Sequence, residues 1–310
     1  MQNPKSYPIH QSALFKVTTK ARLAELLRCE LNFIRKLCSD KNYALHKIQK
    51  KGGDGTREVQ VPCKPLKLVQ KRIKVLLSRI IMPGYVISNR KGFSHVDNAK
   101  QHQENSFFLT TDINKFFPNC KREHVASFCQ HQLFMSPDVA DLFSRIVTFK
   151  GFLPTGSPSS PILSYWMYSM TFDRLSVLAQ RSELKLTLYV DDLTFSSNKP
   201  FPKKFLGAIK TRLKVVGLEL KSEKTKFYAP KDHKNITGAV LTPDKRIVVP
   251  NRLRQKIIND AKVLAEPEIS YQDSLKIMGR IYSSRQIESN AFAGILRKVK
   301  QAKIEEVNKG

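Results

Sequence analysis

Two adjacent carboxylates, Asp191 and Asp192, lie between two strand-like runs of the sequence. Residues 184–188 and 193–195 are rich in β-forming residues, which predicts a hairpin with the acids at its turn. Side chains alternate faces along a strand, so neighbouring carboxylates point the same way only where the backbone turns. An Asp pair in a tight turn needs no function on its own, because Asp is a common turn residue.

A third carboxylate, Asp112, ends the apolar run 107–111. A buried acid there is costly without a partner, although an acid that merely caps the strand end is an alternative. Three carboxylates that converge at strand ends would form the oxygen-rich site that Mg²⁺ prefers, with substrate phosphates completing the coordination. Two such ions about 3.5–4 Å apart would hold the attacking and leaving oxygens of a phosphoryl transfer.

A loop dense in Pro, Gly and Ser spans residues 151–164 and continues into a helical pattern. Backbone N–H groups at the start of that helix, with the hydroxyls of Ser157, Ser159 and Ser160, would hold a nucleotide or a template strand. A surface loop built from turn-forming residues is the alternative.

Hydrophobic periodicity predicts the elements that must position these groups. Residues 43–62 and 240–250 each carry strand-like runs around a turn, so both are predicted hairpins. Apolar residues at helical spacing predict helices within 12–40, at 65–80, 138–149, 164–180 and 203–216, and from 251 onward. This mixture indicates an α+β fold in which helices cover a sheet.

The chain carries 54 Lys and Arg residues against 26 acids, a formal net charge of +28. An excess of this size indicates a polyanionic partner. The sequence has no run of 18 or more apolar residues and no apolar signal core at its N-terminus. We therefore expect a soluble, cytoplasmic protein with no membrane partner.

The five cysteines are odd in number and include no Cys-x-x-Cys pair, which favours reduced thiols. Cys120, His124, Cys129 and His131 form a cluster in the sequence, so a zinc site is an alternative. Their spacing, however, matches no familiar Cys₂His₂ pattern.

The order of the motifs resembles the palm motifs of reverse transcriptases. The matching segments are Asp112 with Phe116-Phe117, Leu153-Pro154-Thr155-Gly156, Tyr189-Val190-Asp191-Asp192, Gly217-Leu218 and Lys224-Thr225. Two further segments are similar to those of retron-type bacterial enzymes: Asn98-Ala99-Lys100-Gln101-His102 resembles Asn-Ala-x-x-His, and Ile236-Thr237-Gly238 resembles Val-Thr-Gly. The resemblance covers roughly residues 50–255. Two positions depart from it: Thr155 stands where many relatives have Gln, and Ile236 replaces Val.

The resemblance implies a right-hand polymerase, with an antiparallel palm sheet flanked by helices and a helical thumb. The fingers would comprise residues 1–105 and 118–155, and the palm residues 106–117 and 156–235. Residues 236–310 would form the primer grip and the thumb. The hairpin at 43–62 would be the fingertip, and the hairpin at 240–250 would be the primer grip.

The resemblance also implies a metal site and a proton donor. Asp112, Asp191 and Asp192 would be catalytic and would bind two Mg²⁺ ions, with Ile113 in the same metal set. Lys224 would protonate the pyrophosphate leaving group. An ordinary phosphate contact or a solvent-facing lysine is an equal alternative for Lys224.

Further residues are implied as substrate contacts. Those for the deoxynucleoside triphosphate (dNTP) are Arg57, Phe117, Thr155, Gly156 and Ser157. Those for nucleic acid are Tyr189, Asn98, His102, Thr237, Gly238, Arg252 and Arg254. Apart from the resemblance, Lys50, Lys51 and Lys64 are predicted general phosphate contacts, with simple solvated charges as the alternative. In an extended segment the rings of Phe116 and Phe117 would point to opposite sides, and the resemblance places Phe117 against the incoming sugar. Burial of both rings in the core is the alternative.

The implied activity is RNA-templated DNA synthesis. By analogy with retron enzymes, the template would be the enzyme's own structured noncoding RNA, primed from an internal guanosine 2′-hydroxyl. The product would be a branched RNA–DNA hybrid (multicopy single-stranded DNA), made in an antiphage defence system with a possible effector protein. Another bacterial reverse transcriptase, such as an intron maturase or an antiphage polymerase, and a non-catalytic RNA-binding scaffold are the alternatives. Retention of all three acids favours an enzyme.

Overall fold

The computed structural model describes residues 6–49, 55–262 and 271–307. Two short helices, α1 (Lys20–Leu27) and α2 (Leu31–Leu37), lie near the start of the chain. The hydroxyl of Thr19 caps α1 by accepting from the Arg22 N–H, and Arg28 ends the helix in the left-handed conformation. Both helices bury one apolar face, as the spacing within 12–40 predicted.

An antiparallel hairpin of β1 (Tyr43–Gln49) and β2 (Thr56–Pro62) follows, with Tyr43 opposite Pro62 at its base. The predicted hairpin is confirmed, but its turn and the predicted phosphate contacts Lys50 and Lys51 lie outside the described residues. Helix α3 (Lys64–Leu77) begins directly after β2 with a proline in its first turn, where no backbone donor is needed.

Four antiparallel strands form the central sheet, in the order β4-β5-β3-β6. They are β3 (Phe107–Asp112), β4 (Lys185–Tyr189), β5 (Asp192–Ser197) and β6 (Lys226–Tyr228). Strand β5 is buried almost throughout, β3 is buried at half of its residues, and both sequences are nearly continuous apolar and Thr/Ser runs.

Helices cover this sheet and build the region between β3 and β4. In chain order they are α4 (His95–Lys100), α5 (Phe116–Asn119), α6 (Arg122–His131), α7 (Pro137–Val147), α8 (Ser160–Trp166), α9 (Ser169–Arg181) and α10 (Phe205–Lys214). The single helix predicted at 164–180 is wrong, because α8 ends at Trp166 and α9 starts at Ser169. The ring of Tyr168, at the N-cap of α9, is buried against Phe116 and Phe172.

The C-terminal part begins with a small sheet of β7 (Lys234–Ile236), β8 (Ala239–Leu241) and β9 (Ile247–Val248). The predicted hairpin at 240–250 is the β8–β9 pair, and β7 adds a strand that the sequence did not predict. Helices α11 (Asn251–Ala261), α12 (Tyr271–Arg285) and α13 (Ala293–Val307) follow. Among the helices that the structure describes, none is long and apolar enough to cross a membrane.

The apolar side chains of the described residues form three clusters. The largest runs from α1 through the central sheet to α10, and a small one joins Phe108 and Ala99 to the β7–β8 pair. The third lies among α11, α12 and α13, around Ile257, Ile281 and Val299. The three C-terminal helices therefore pack around a core of their own.

Candidate active site

The acid pair lies at a two-residue turn. Tyr189 pairs with Asp192 across the β4–β5 hairpin, so Val190 and Asp191 are the two turn residues. Val190 has a φ of +60°, which costs energy for a β-branched side chain. Its N–H donates to the Ser88 hydroxyl at 3.0 Å, which helps to hold the turn. The predicted hairpin with the acids at its tip is confirmed.

The third acid belongs to the same end of the sheet. Asp112 is the last residue of β3 and lies directly opposite Asp192 in the β3–β5 register. The Ile113 N–H donates to the Asp191 carbonyl at 3.0 Å. Strand pairing and this hydrogen bond therefore hold the backbones of all three acids side by side. The side chain of Ile113 is buried, and any part in metal binding would fall to its backbone carbonyl.

Lys224 approaches the acids from the segment that precedes β6. Its ammonium forms an ion pair with Asp112, whose side chain is 16% exposed. Two contacts fix this segment beside the strand end: the Lys221 N–H donates to the Asp112 carbonyl at 2.8 Å, and the Thr111 and Thr225 hydroxyls are 2.7 Å apart. The structure therefore brings Lys224 to the predicted metal ligand Asp112, and its role as proton donor stays a prediction.

The electrostatics of the acid pair favour a bound proton when no cation is near. Burial raises the pKa of Asp191 above its ordinary value. Burial, followed by repulsion from the neighbouring Asp191 carboxylate, raises the pKa of Asp192 to about 7. The site is therefore short of positive charge at neutral pH.

A divalent ion would supply that charge. Within the described residues, no group of three or more His, Cys, Asp or Glu side chains is arranged to hold a metal ion, so the acids are not a preformed three-ligand cage. Mg²⁺ is commonly held by one or two carboxylates and substrate phosphates, which this set of oxygen donors fits.

A cleft extends from the acids along the sheet. Its lining includes Asp112, Asp192 and Lys224 and the Thr237-Gly238 turn. Lys226, Tyr228 and Asn235 also line the cleft, although the sequence did not single them out. Strands β6 and β7 carry these three residues and are too short to show a periodic pattern. The only signal was the density of lysines around 221–226.

The aromatic pair after Asp112 is not extended as expected. Phe116 and Phe117 begin the short helix α5, which follows Lys115 in the left-handed conformation. Phe116 is 3% exposed and packs between Tyr168 and Phe172, whereas Phe117 is only partly buried. The two rings therefore differ in burial, as predicted. The difference arises from the helical turn of α5 and not from an extended segment.

The structure assigns different positions to the predicted dNTP contacts. Arg57 is exposed on β2, and Thr155 is exposed in the loop before α8. Ser157 is 4% exposed and its hydroxyl donates to Gln70 at 2.7 Å. The prediction that the Ser157 hydroxyl faces a ligand is therefore wrong, because this hydroxyl binds Gln70 inside the protein. Ser159 and Ser160 are likewise fully buried.

Asn98 and His102 were predicted to contact nucleic acid, and both predictions are wrong for these side chains. Both are 0% exposed. His102 lies between the Ser196 and Thr187 hydroxyls at 2.6 and 2.7 Å, and burial lowers its pKa to about 3, so the ring stays neutral.

The two segments that indicated a retron type contact each other. The Asn98 amide donates to the Thr237 hydroxyl at 3.3 Å, and that hydroxyl donates to the His95 carbonyl at 3.0 Å. Thr237 and Gly238 have φ values of +47° and +89° and form the turn between β7 and β8. Asn98 therefore supports a cleft-lining turn from behind.

Of the two thumb arginines predicted to contact nucleic acid, Arg252 is exposed and Arg254 is half-buried. Arg254 binds both carboxylate oxygens of Glu288 at 2.7 Å and donates to the Val249 carbonyl at 3.1 Å. This ion pair fixes α11 to the segment after α12 and gives Arg254 a structural role, while its contact with nucleic acid stays a prediction. Tyr189 is partly buried beside the acid turn, and Lys64 is exposed at the start of α3.

None of the five cysteines forms a disulfide bond. All five are free thiols, and Cys120 and Cys129 are buried. His124 of the suspected zinc cluster lies 3.2 Å from the Tyr168 hydroxyl through its Nδ1.

Comparison with known proteins agrees with this geometry. The family model described as reverse transcriptase (RNA-dependent DNA polymerase) matches residues 48–279. The chain is 28% identical to the retron Ec86 reverse transcriptase of Escherichia coli over 212 residues, which are 67% of this chain and 65% of that protein. It is 23% identical to the retron Ec83 reverse transcriptase of the same organism over 288 residues, 86% of this chain and 90% of that protein.

Apo telomerase from Candida tropicalis, truncated from its C-terminal domain, is a solved structure that aligns with a TM-score of 0.49 and 11% identity, over 67% of this chain and 55% of that one. The family match confirms the right-hand polymerase fold, and the similarity to the two retron enzymes confirms the resemblance to retron-type reverse transcriptases. Since the family model covers most of the sequence and includes all three acids, the chain belongs to the reverse transcriptase family.

Proposed function

We propose that this chain is an RNA-directed DNA polymerase of the retron type. The observation that carries the proposal is the placement of three carboxylates at one end of a sheet, with Asp112 opposite Asp192 and Asp191 at the adjoining turn. A cleft lined by Lys224 and Lys226 leads to them. Similarity to two retron enzymes supports the same activity.

Asp112, Asp191 and Asp192 would hold divalent cations together with the substrate phosphates, in a site for two Mg²⁺ ions. When bound, such ions lower the pKa of the attacking hydroxyl and stabilise the pyrophosphate that leaves. The protein's own part is to hold these acids on two neighbouring strands and at a fixed turn, so that their backbones are fixed relative to one another before substrate arrives.

Lys224 would have two successive roles, first as the ion-pair partner of Asp112 and then as a proton donor. It neutralises Asp112 in the absence of substrate. When Asp112 takes part in metal binding, the Lys224 ammonium would leave that carboxylate and turn toward the triphosphate. There Lys224 would donate a proton to the leaving group. Arg57, Thr155 and Gly156 would contact the dNTP, and Phe117 would face its sugar.

The template and primer would lie along the cleft. Thr237 and Gly238 line it, and Tyr189 and Arg252 are the other residues that we propose as nucleic-acid contacts. The net charge of +28 suits a structured noncoding RNA as template. An internal guanosine 2′-hydroxyl would serve as primer, so the DNA product would stay joined to RNA. We place this reaction in the cytoplasm, in an antiphage system that includes an effector.

Sequencing and digesting the nucleic acid that copurifies with the protein tests this function. We expect DNA that remains joined to a ribonucleotide after proteinase and ribonuclease treatment and is released by a 2′,5′-debranching enzyme. DNA that is linear and free after proteinase treatment alone would exclude 2′-priming and favour another kind of reverse transcriptase. RNA without DNA, from a protein that extends no added primer, would favour a binding scaffold.

A further inference from the structure

A side chain of the β1–β2 hairpin is attached to the loop that precedes α8. Gln60 on β2 is 6% exposed. Its side-chain Oε1 accepts two hydrogen bonds at 3.2 Å, one from the Thr155 N–H and one from the Thr155 hydroxyl. A single acceptor therefore holds both the backbone and the side chain of the loop residue.

The next loop residue approaches the same strand even more closely. A Cβ added to Gly156 would lie 2.3 Å from the Gln60 carbonyl oxygen and 3.1 Å from a Val59 methyl group. No other residue type fits there without moving β2, because backbone atoms cannot yield as a flexible side chain does. We call Gln60, Thr155 and Gly156 the clasp.

A buried network ties the same loop to the other strand of the hairpin. Gln70 of α3 is 0% exposed and accepts from the Ser157 hydroxyl at 2.7 Å. The Gln70 amide donates to the Tyr43 hydroxyl at 2.7 Å and to the Ile146 carbonyl at 2.9 Å. Both strands of the hairpin are therefore anchored at their base to one loop.

The clasp marks the boundary between the anchored base and a free arm. Along β2, residues 56–58 are exposed, whereas Gln60 and Pro62 are buried. Arg57 lies on the exposed part, three residues beyond Gln60. Any motion of this arm would therefore turn about the clasp.

The loop also connects the clasp to the acid turn. The Asn89 amide donates to the Pro161 carbonyl in the first turn of α8 at 3.1 Å. The hydroxyl of the preceding residue, Ser88, accepts from the Val190 N–H at 3.0 Å. Only short, directly bonded segments separate the fingertip arm from the turn that carries Asp191.

We propose that the clasp sets the reach of the fingertip arm relative to the acids, and that Gln60 is a positioning residue for the incoming nucleotide. This inference rests on the proposed polymerase function. Loss of the Gln60 acceptor frees the arm without touching the acids. We expect the KM for dNTP to rise about tenfold, since two hydrogen bonds are lost, while kcat changes less than about threefold.

The test uses variants that keep size and remove hydrogen bonding. Gln60→Met removes the acceptor, Thr155→Val removes one of the two donors, and Thr155→Ser keeps both. Gln132→Met is the matched control, because Gln132 accepts from the Ser169 hydroxyl at 3.1 Å in another part of the chain. Steady-state single-nucleotide insertion on a fixed RNA template with a DNA primer gives KM and kcat, and hydrogen exchange of the peptides over 43–49 and 56–62 reports on the hairpin.

We expect Gln60→Met to raise KM and to speed exchange in the hairpin, and Gln132→Met to leave both unchanged. Thr155→Val should speed hairpin exchange less than Gln60→Met does, and Thr155→Ser should leave the exchange unchanged. Because Thr155 is itself a proposed dNTP contact, its variants are compared by exchange alone. Unchanged hairpin exchange in Gln60→Met would overturn the clasp. Faster exchange with an unchanged KM, or a fall in kcat alone, would overturn the positioning role. A parental chain that inserts no nucleotide would refute the polymerase function and with it the positioning role, while the exchange data would still decide whether the clasp exists.

Discussion

At the scale of single residues, the main feature of the site is the buried acid pair, Asp191 and Asp192, whose negative charge is poorly compensated. Asp192 is the more revealing of the two, because its pKa is raised to about 7 by burial and by Asp191. A proton or a metal ion must compensate this charge. The same residue thus links pH, metal binding and stability.

The first prediction concerns stability of the metal-free protein as a function of pH. A carboxyl with a raised pKa in the folded state contributes stability that is fully present below its unfolded pKa of about 4 and is lost as pH rises through about 7. The amide of the Asp192→Asn variant does not ionise in this range, so the variant does not lose this stability as pH rises. In EDTA, we expect the difference between the Tm of the variant and the Tm of the parent to increase from pH 5 to pH 8.

Thermal unfolding at several pH values measures this difference. Asp141→Asn, an exposed acid on α7, is the control and should show no comparable trend. Added Mg²⁺ should weaken the trend in the parent, because the cation stabilises the ionised carboxylate. A Tm difference that does not depend on pH would contradict the assignment.

The second prediction separates the two rings of the aromatic pair. If Phe117 faces the incoming sugar, Phe117→Val should raise ribonucleotide insertion relative to deoxyribonucleotide insertion. Phe116→Val should leave that ratio unchanged and lower the free energy of unfolding by about 2–3 kcal/mol, because Phe116 is buried. Insertion assays with rCTP and dCTP and denaturant unfolding measure both effects, and an unchanged ratio in Phe117→Val would remove that ring from the site.

At the scale of elements, a close approach of two backbones positions the β1–β2 hairpin. The third prediction is that Gly156→Ala destabilises the protein by roughly 1–3 kcal/mol, because the added methyl overlaps the Gln60 carbonyl. Gly207→Ala is the matched control. Gly207 lies within α10 with nothing within 4 Å of an added Cβ, so alanine should stabilise by roughly 0.5–1 kcal/mol. Equal effects of the two substitutions on Tm would contradict the close approach.

The elements that sequence predicted well are those whose pattern is local. The hairpin with Asp191 and Asp192, strand β3 and helix α3 all have apolar residues at the spacing of their own structure. Tertiary contacts set the rest. Strands β6 and β7 have three residues each, and the break at Tyr168 arises from ring packing.

The same limit applies to the site. The convergence of the three acids at strand ends could be predicted because their order and types are distinctive. The burial of Asn98 and His102 could not, since their partners are Thr237, Ser196 and Thr187, all far away in sequence. Gln60 escaped prediction for the same reason, because its partner is Thr155.

At the scale of the whole molecule, net charge should dominate the affinity for RNA. The fourth prediction is that binding weakens steeply with salt, with a log–log slope of roughly −4 to −7 if six to ten phosphates are contacted as a single strand. Fluorescence anisotropy of labelled RNA between about 50 and 300 mM KCl measures the slope. Asp192→Asn should keep it, and a slope near zero in the parent would contradict phosphate contacts as the source of affinity.

The central claim is that the acids at the end of the sheet carry out RNA-templated DNA synthesis. Its most direct test is dNTP incorporation on an RNA template with a DNA primer and Mg²⁺, by the parent, Asp191→Asn, Asp192→Asn and the control Asp141→Asn. We predict that the parent and Asp141→Asn extend the primer and that both site variants lose incorporation by at least about a thousandfold, roughly 4 kcal/mol of barrier, while still binding RNA. Extension by Asp192→Asn at near the parental rate would contradict the account.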